Sequence, residues 1–167
     1  MAGAGEQASP PGFDRVVRGV ALLGGALLVA LAMLVTLSVT LRSDLVGAAG
    51  VPGDFELVQM ATAVAAFCFM PYCQLRRGNI FVDTFTMKLP LRVQHGLDAL
   101  WDVVYGLVMA LIGWRLAVGA RAAYASGENT MVLQLPSYLP IGLCAVLALL
   151  VCLAAFVSAA RLMRGGA

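Results

Sequence analysis

Long uncharged apolar stretches alternate along this chain with short segments that carry nearly all of its charge. Val20 to Leu41 contains no Asp, Glu, Lys or Arg, and at about 1.5 Å rise per residue such a run crosses the roughly 30 Å hydrocarbon core of a bilayer. It predicts a first span over about 18–41, preceded by a flexible tail over 1–14. A second uncharged run, Leu57 to Leu75, lies between Asp54 and Glu56 on one side and Arg76 and Arg77 on the other, and predicts a span over 56–75. Pro71 near its end removes a backbone donor and is expected to kink or loosen the last turn.

The third run, Val103 to Trp114, is short, and a span over 99–121 has to take in Arg115. The guanidinium can reach the nearer interface along its apolar stem, or form an interhelical or intersubunit ion pair. Met131 to Ala160 is again uncharged and is closed by Arg161 and Arg164. Pro136 and Pro140 mark its entry, so the helix is expected to start between Ser137 and Ile141 and to span 138–160.

Between the second and third spans, Phe81, Val82, Phe85 and Leu89 share one helical face while Asp83, Thr86 and Lys88 fall largely elsewhere. That pattern predicts an amphipathic helix over 79–89 lying in the membrane interface. Pro90 then reads as the first turn of a long helix through His95, Asp98 and Asp102, three polar residues on one stripe that are expected to form a solvated face. The fold class is therefore all-α integral membrane, a single domain of four transmembrane helices with one interfacial helix between the second and third.

Composition agrees. Of 167 residues, 61% are hydrophobic and 12% charged, and the mean hydropathy is +0.90, which leaves too little polar surface to coat a soluble domain of this size. A cleaved secretory signal is the competing reading of the first run, because Arg15 and Arg18 precede it and small residues follow it. Signal h-regions, at about 7–15 residues, are shorter than this one. Arg15, Arg18, Arg76, Arg77, Lys88, Arg92, Arg161 and Arg164 fall on one side of the four spans, and Arg42, Arg115 and Arg121 on the other. The positive-inside rule places both termini and the middle connection in the cytoplasm. Trp101 and Tyr105, and Trp114 and Tyr124, suit the aromatic belts at the two interfaces.

Candidate chemistry is sparse. One histidine, His95, cannot supply the paired axial ligands of a transmembrane b-type haem. Cys68, Cys73, Cys144 and Cys152 match no zinc or haem-attachment spacing and read as small apolar residues. No phosphate loop, nucleophile elbow or metal-binding His and Glu pair is present. No cofactor, metal, catalytic residue or nucleic-acid partner is expected, and the chain does not read as an enzyme.

Transport by one chain normally needs an ionisable group deep in a span, and the first, second and fourth runs have none. A small multidrug exporter relies on a glutamate in its first helix, where this chain offers only Thr36, Ser38 and Thr40. Ala26 and Ala30, Ala61 and Ala65, and Thr62 and Ala66 have the spacing that lets membrane helices approach closely, and Gln59 and Thr62 can add interhelical hydrogen bonds. The residues describe a packing partner more than a pump.

Two stretches carry a family resemblance. Glu56 heads the second span, which ends in Leu75-Arg76-Arg77-Gly78-Asn79-Ile80-Phe81-Val82-Asp83; later, Gly127-Glu128 precedes Leu135-Pro136-Ser137-Tyr138-Leu139-Pro140-Ile141-Gly142. Together these resemble the small transmembrane subunit of the tripartite ATP-independent periplasmic (TRAP) transporters, the DctQ-like family, from the first span to the C-terminus. Asn79 stands where that family commonly has histidine, and Ser137 or Tyr138 where it commonly has tryptophan. The resemblance implies a bacterial inner-membrane scaffold for a large elevator-type subunit, working with a periplasmic binding protein in cation-coupled uptake of an organic acid. Arg76, Arg77, Gly78 and Asp83 would form the cytoplasmic turn that orients the interfacial helix, with Arg77 and Asp83 bonding it together. Glu56 and Arg115 would make polar contacts on the periplasmic side, with each other or with the large subunit. An assembly or stability subunit of another membrane complex, and a standalone homo-oligomeric exporter or channel, are the alternatives from other classes.

Overall fold

A computed structural model describes residues 11–43, 50–76 and 91–165. The described part holds four helices: α1 (Pro11–Arg42), α2 (Asp54–Leu75), α3 (Leu91–Ser126) and α4 (Tyr138–Gly165). All four are long and apolar enough to cross a membrane. The expected interfacial helix over 79–89 lies outside the described residues.

Each helix begins and ends where local chemistry allows. Pro11 opens α1, at a position whose N–H would have no helical partner anyway; the helix thus takes in residues 11–14, which the sequence left in the tail. Asp14 in its first turn and Arg42 in its last complement the helix dipole. Gly53, at φ 78°, turns the chain into α2, and α2 runs helical through the buried Pro71 to Leu75. Gly127, at φ 67°, ends α3, and the Glu128 N–H returns to the Ala123 carbonyl at 3.2 Å in the manner of a Schellman cap. Tyr138 opens α4 within the expected window, with Pro140 in its first turn.

The helices do not close into a bundle. Among the described residues, α1 packs on α2, α2 on α4 and α4 on α3, and no other pair approaches closely along the backbone. The result is a slab with the order α1–α2–α4–α3. Half of the apolar window of α4 (50%) is buried, against 11% for α1 at the edge.

Small residues set these seams. Ser38 meets Asp54 and, the same number of residues back along α1 and forward along α2, Gly24 meets Cys68, so α1 and α2 run antiparallel in constant register. On the other side, Gly106 lies against Ala155 and Phe156, and Gly113 against Ala148. Glycines one heptad apart on α3 thus face alanines one heptad apart on α4. Of the small pairs read from the sequence, Ala61 and Ala65 turn inward, whereas Ala26, Ala30, Thr62 and Ala66 are exposed. Gln59 is exposed too and makes no interhelical hydrogen bond among the described residues.

The exposed surface of the helices is apolar. Leu22, Leu23 and Met33 on α1, Leu107, Leu111 and Trp114 on α3, and Val146, Leu149 and Leu153 on α4 are exposed, far more than a water-soluble monomer leaves uncovered. Lipid or another membrane protein must cover them.

The Gly24 contact is a direct test of the α1–α2 seam. A Cβ there would lie 2.7 Å from the Cys68 Cβ, whereas one on the neighbouring Gly25 meets nothing within 4 Å. Gly24→Leu is expected to cost about 1–3 kcal/mol through overpacking and Gly25→Leu much less, as read by thermal unfolding in detergent. Equal melting temperatures for the two variants would show that α1 does not pack in this register.

Candidate functional site

Polar contacts concentrate at the end of the slab that carries the α1–α2 and α3–α4 connections, and they converge on the first turn of α2. Asp54 reaches back to α1. Its Oδ2 accepts a 2.6 Å hydrogen bond from the Ser38 hydroxyl and lies 3.4 Å from an Arg42 guanidinium nitrogen. Ser38 is fully buried, and its oxygen also accepts the Val51 N–H at 3.2 Å. The other polar groups of the first span turn inward on their own helix: Thr36 donates to the Ala32 carbonyl and Thr40 to the Thr36 carbonyl. Ser38 is thus the group of that span that joins α1 to α2.

Glu56, one of the expected contact residues, does something the sequence did not indicate. Its two carboxylate oxygens accept the backbone N–H groups of Val132 and Leu133 at 2.9 and 3.0 Å. A helix-head carboxylate that could have served its own orphan N–H groups is spent instead on the α3–α4 connection. That connection is itself ordered. The Thr130 N–H bonds the Leu135 carbonyl at 2.9 Å and the Ser137 N–H the Glu128 carbonyl at 3.1 Å, while Thr130 Oγ1 accepts the Leu135 N–H. Gln134 takes a left-handed φ of 55° at the turn. Gly53 fits beneath it, because a Cβ there would run into the Leu133 side chain. Tyr124 and Tyr138 close the base of the loop edge to face, ring centroids 5.2 Å apart.

The outcome is a fixed loop with an apolar tip. Met131 is 93% exposed, and Val132 and Phe55 are also largely uncovered. Backbone hydrogen bonds that would otherwise be free for water hold this tip in place, so it is presented as a shaped surface.

The remaining expected residues are dispersed. Arg115 is exposed on α3 and does not meet Glu56, whose oxygens are occupied by the loop; of the two partners expected for Glu56, the one within this chain is replaced by the 132–133 backbone. Arg76 caps α2 at the opposite end, its N–H bonded to the Tyr72 carbonyl at 3.0 Å and its guanidinium 5.6 Å from the centre of the Tyr72 ring. Arg77, Gly78 and Asp83 lie outside the described residues. Asp102 departs from the expected solvated face: it is only 3% exposed and accepts a 2.7 Å bond from Gln74. Among the described residues no three His, Cys, Asp or Glu side chains converge as metal ligands would.

A shallow groove of about 460 Å³ opens between α1, α2 and α4, lined by Leu27, Met60, Ala61, Val64, Leu139, Pro140 and Leu143. Its wall is apolar throughout, so it suits acyl chains or apolar side chains and offers nothing to orient a polar solute.

The family model described as "Tripartite ATP-independent periplasmic transporters, DctQ component" matches residues 31–165. The chain belongs to the DctQ family. The match runs from mid-α1 to the last turn of α4 and so covers both the head of α2 and the 128–137 loop. No curated protein and no solved structure matches the chain. As a DctQ component it is the small permease subunit of a TRAP transporter, a transporter part and not a member of an enzyme family.

Loss of the Glu56 carboxylate should free the loop without melting it. In Glu56→Ala, hydrogen exchange at the Val132 and Leu133 amides is expected to speed up, while the Thr130 amide, bonded within the loop, stays near its wild-type rate. Unchanged exchange at Val132 and Leu133 would show that the carboxylate does not hold the tip.

Proposed function

We propose that this DctQ chain is the static scaffold of a TRAP-type secondary transporter, widening the fixed part of the membrane complex against which a large elevator-type subunit moves in cation-coupled uptake of an organic acid. The observation that carries the reading is the open order α1–α2–α4–α3, with apolar side chains exposed along each helix. A lone channel or exporter needs helices that enclose a polar path. This arrangement encloses none among the described residues and instead offers area for a partner and for lipid.

The distribution of Lys and Arg supports an inner-membrane orientation with both termini and the α2–α3 connection in the cytoplasm. In that orientation the head of α2 and the 128–137 loop face the periplasm. The tip at Met131 and Val132, held by Glu56, is then available to the large subunit or to the loaded binding protein. On the cytoplasmic side, the amphipathic pattern over 79–89 supports a helix lying in the leaflet, with Arg76, Arg77, Gly78 and Asp83 forming the turn that orients it. The exposure of Arg115 on α3 supports a contact with the large subunit or an extension to the interface.

Affinity purification of the tagged chain from mild detergent, with mass spectrometry of the copurifying proteins, tests the assignment. A much larger multi-span permease is expected in about equal amount, and a homo-oligomer without such a partner would overturn it. For the cytoplasmic turn, Arg77→Ala and Asp83→Ala are each expected to lower recovery of the assembled complex or its uptake while the chain still inserts. Wild-type assembly and uptake in both variants would remove the turn from the proposal.

A further inference from the structure

Arg115 places a cation midway along the outer surface of α3. Its neighbour Leu116 packs against the cluster of Val64, Cys68, Cys144 and Leu147, so Arg115 lies level with the central turns of α2 and with the first half of α4. Val64 stands ten residues from Asp54 and ten from Gln74, about 15 Å each way at 1.5 Å per residue. Those two polar ends of α2 are therefore separated by about the thickness of the hydrocarbon core, roughly 30 Å, and Arg115 falls near its middle. The side chain is exposed, and no hydrogen bond or ion pair holds it among the described residues. A charge at that depth facing lipid alone is costly.

Three sources of an anion fail at this level. Lipid phosphates lie beyond the hydrocarbon core. The Cα–Cβ bonds of a helix tilt toward its N-terminus, so the Arg115 side chain sets out toward the Asp102 end of α3 and away from the loop at 128–137, the nearer end. Residues of this chain supply nothing either, and nor would a second copy of it. Val20 to Leu41, Leu57 to Leu75 and Met131 to Ala160 are uncharged, and the carboxylates of α3, Asp98 and Asp102, stand thirteen or more residues from Arg115 at one end of the helix. An anion in the middle of the membrane has to come from a different membrane protein.

The surface around Arg115 has the form of a helix seam. One stripe of α3 with alternating steps of three and four residues, Ala99, Asp102, Gly106, Met109 and Gly113, is buried. A second stripe with the same alternation, Trp101, Val104, Val108, Leu111, Arg115 and Val118, is exposed. An apolar stripe of this period suits a partner helix packed knobs-into-holes, and a single polar residue within it fixes register and partner choice.

We propose that the exposed stripe of α3 receives a transmembrane helix of the large subunit, and that Arg115 pairs there with a carboxylate carried by that helix near the middle of the membrane. The identity of the partner rests on the scaffold reading; the need for an anion at that level does not. The guanidinium, a planar fork of donors, takes a carboxylate at two points, and the apolar residues above and below it exclude water from the pair. α3 ends the order α1–α2–α4–α3, so a helix docked on it extends that order beyond this chain.

The test is copurification of the large subunit, coexpressed with the tagged full chain, in mild detergent. Arg115→Met strands the partner's carboxylate and is expected to lower recovery of the large subunit at least about tenfold, while Arg115→Lys stays nearer the wild type. The melting temperature of the Arg115→Met chain purified alone is expected not to fall, because Arg115 bonds nothing among the described residues. Wild-type recovery with Arg115→Met would overturn the pair and assign Arg115 to lipid; a lowered melting temperature of that chain alone would overturn it by showing a role inside the chain. A wild-type chain that brings down no large subunit overturns the scaffold reading itself, and the docking face with it. Independently of folding in the Arg115 variants, a photo-crosslinking residue in place of Leu111 is expected to capture the large subunit in the membrane, and one in place of Leu23 on α1 is not. Capture from Leu23 without Leu111, or from neither, overturns the face.

Discussion

Close backbone approach along the α3–α4 seam is the contact on which the rest of the slab hangs. In lipid the apolar surfaces of helices gain little by leaving one apolar medium for another, so association rests on packing and on the few polar bonds available. Gly106 against Ala155 and Gly113 against Ala148 let α3 and α4 approach along a length of several turns. With one stripe of α4 fixed on α3, the adjacent stripe is left for α2, and the far side of α2 for α1. Each seam positions the next, and α1, last in the series, is held by one neighbour among the described helices.

The two ends of the slab are tied by different means. At the head of α2 two carboxylates within one turn point opposite ways, Asp54 to Ser38 and Arg42 on α1 and Glu56 to the backbone of the α3–α4 connection. At the other end the Gln74–Asp102 bond crosses between helices whose backbones stay apart. Between these ties the helices present aliphatic side chains outward. A subunit with fixed ends and apolar faces has the mechanical character of a static element, which is the role proposed for this DctQ chain.

Much of the architecture is legible in the sequence. Apolar run length is a one-dimensional property, and it located four helices because a bilayer of fixed thickness demands runs of that length. The entry to α4 followed from Pro136 and Pro140 for a similar reason, since proline restricts the backbone whatever surrounds it. The motifs around Glu56 and around Gly127 to Gly142 pointed to the family that the match over residues 31–165 shows. Partners are less legible: the expected solvated face at Asp102 is buried against Gln74, and Glu56 bonds the 132–133 backbone, not Arg115 within this chain. Gly24, Gly106 and Gly113 line the seams, and the heptad spacing of the last two is visible in the sequence.

Sequence alone determined the number of membrane helices, their order and nearly their ends, because hydropathy and backbone restriction act locally. Tertiary structure decided which helix sits beside which, that the row stays open, and where the polar side chains of the spans find partners. Those outcomes depend on shape across a seam. A glycine allows close approach only when a small residue happens to face it, and a carboxylate is buried or solvated according to whether another helix brings a donor to its level.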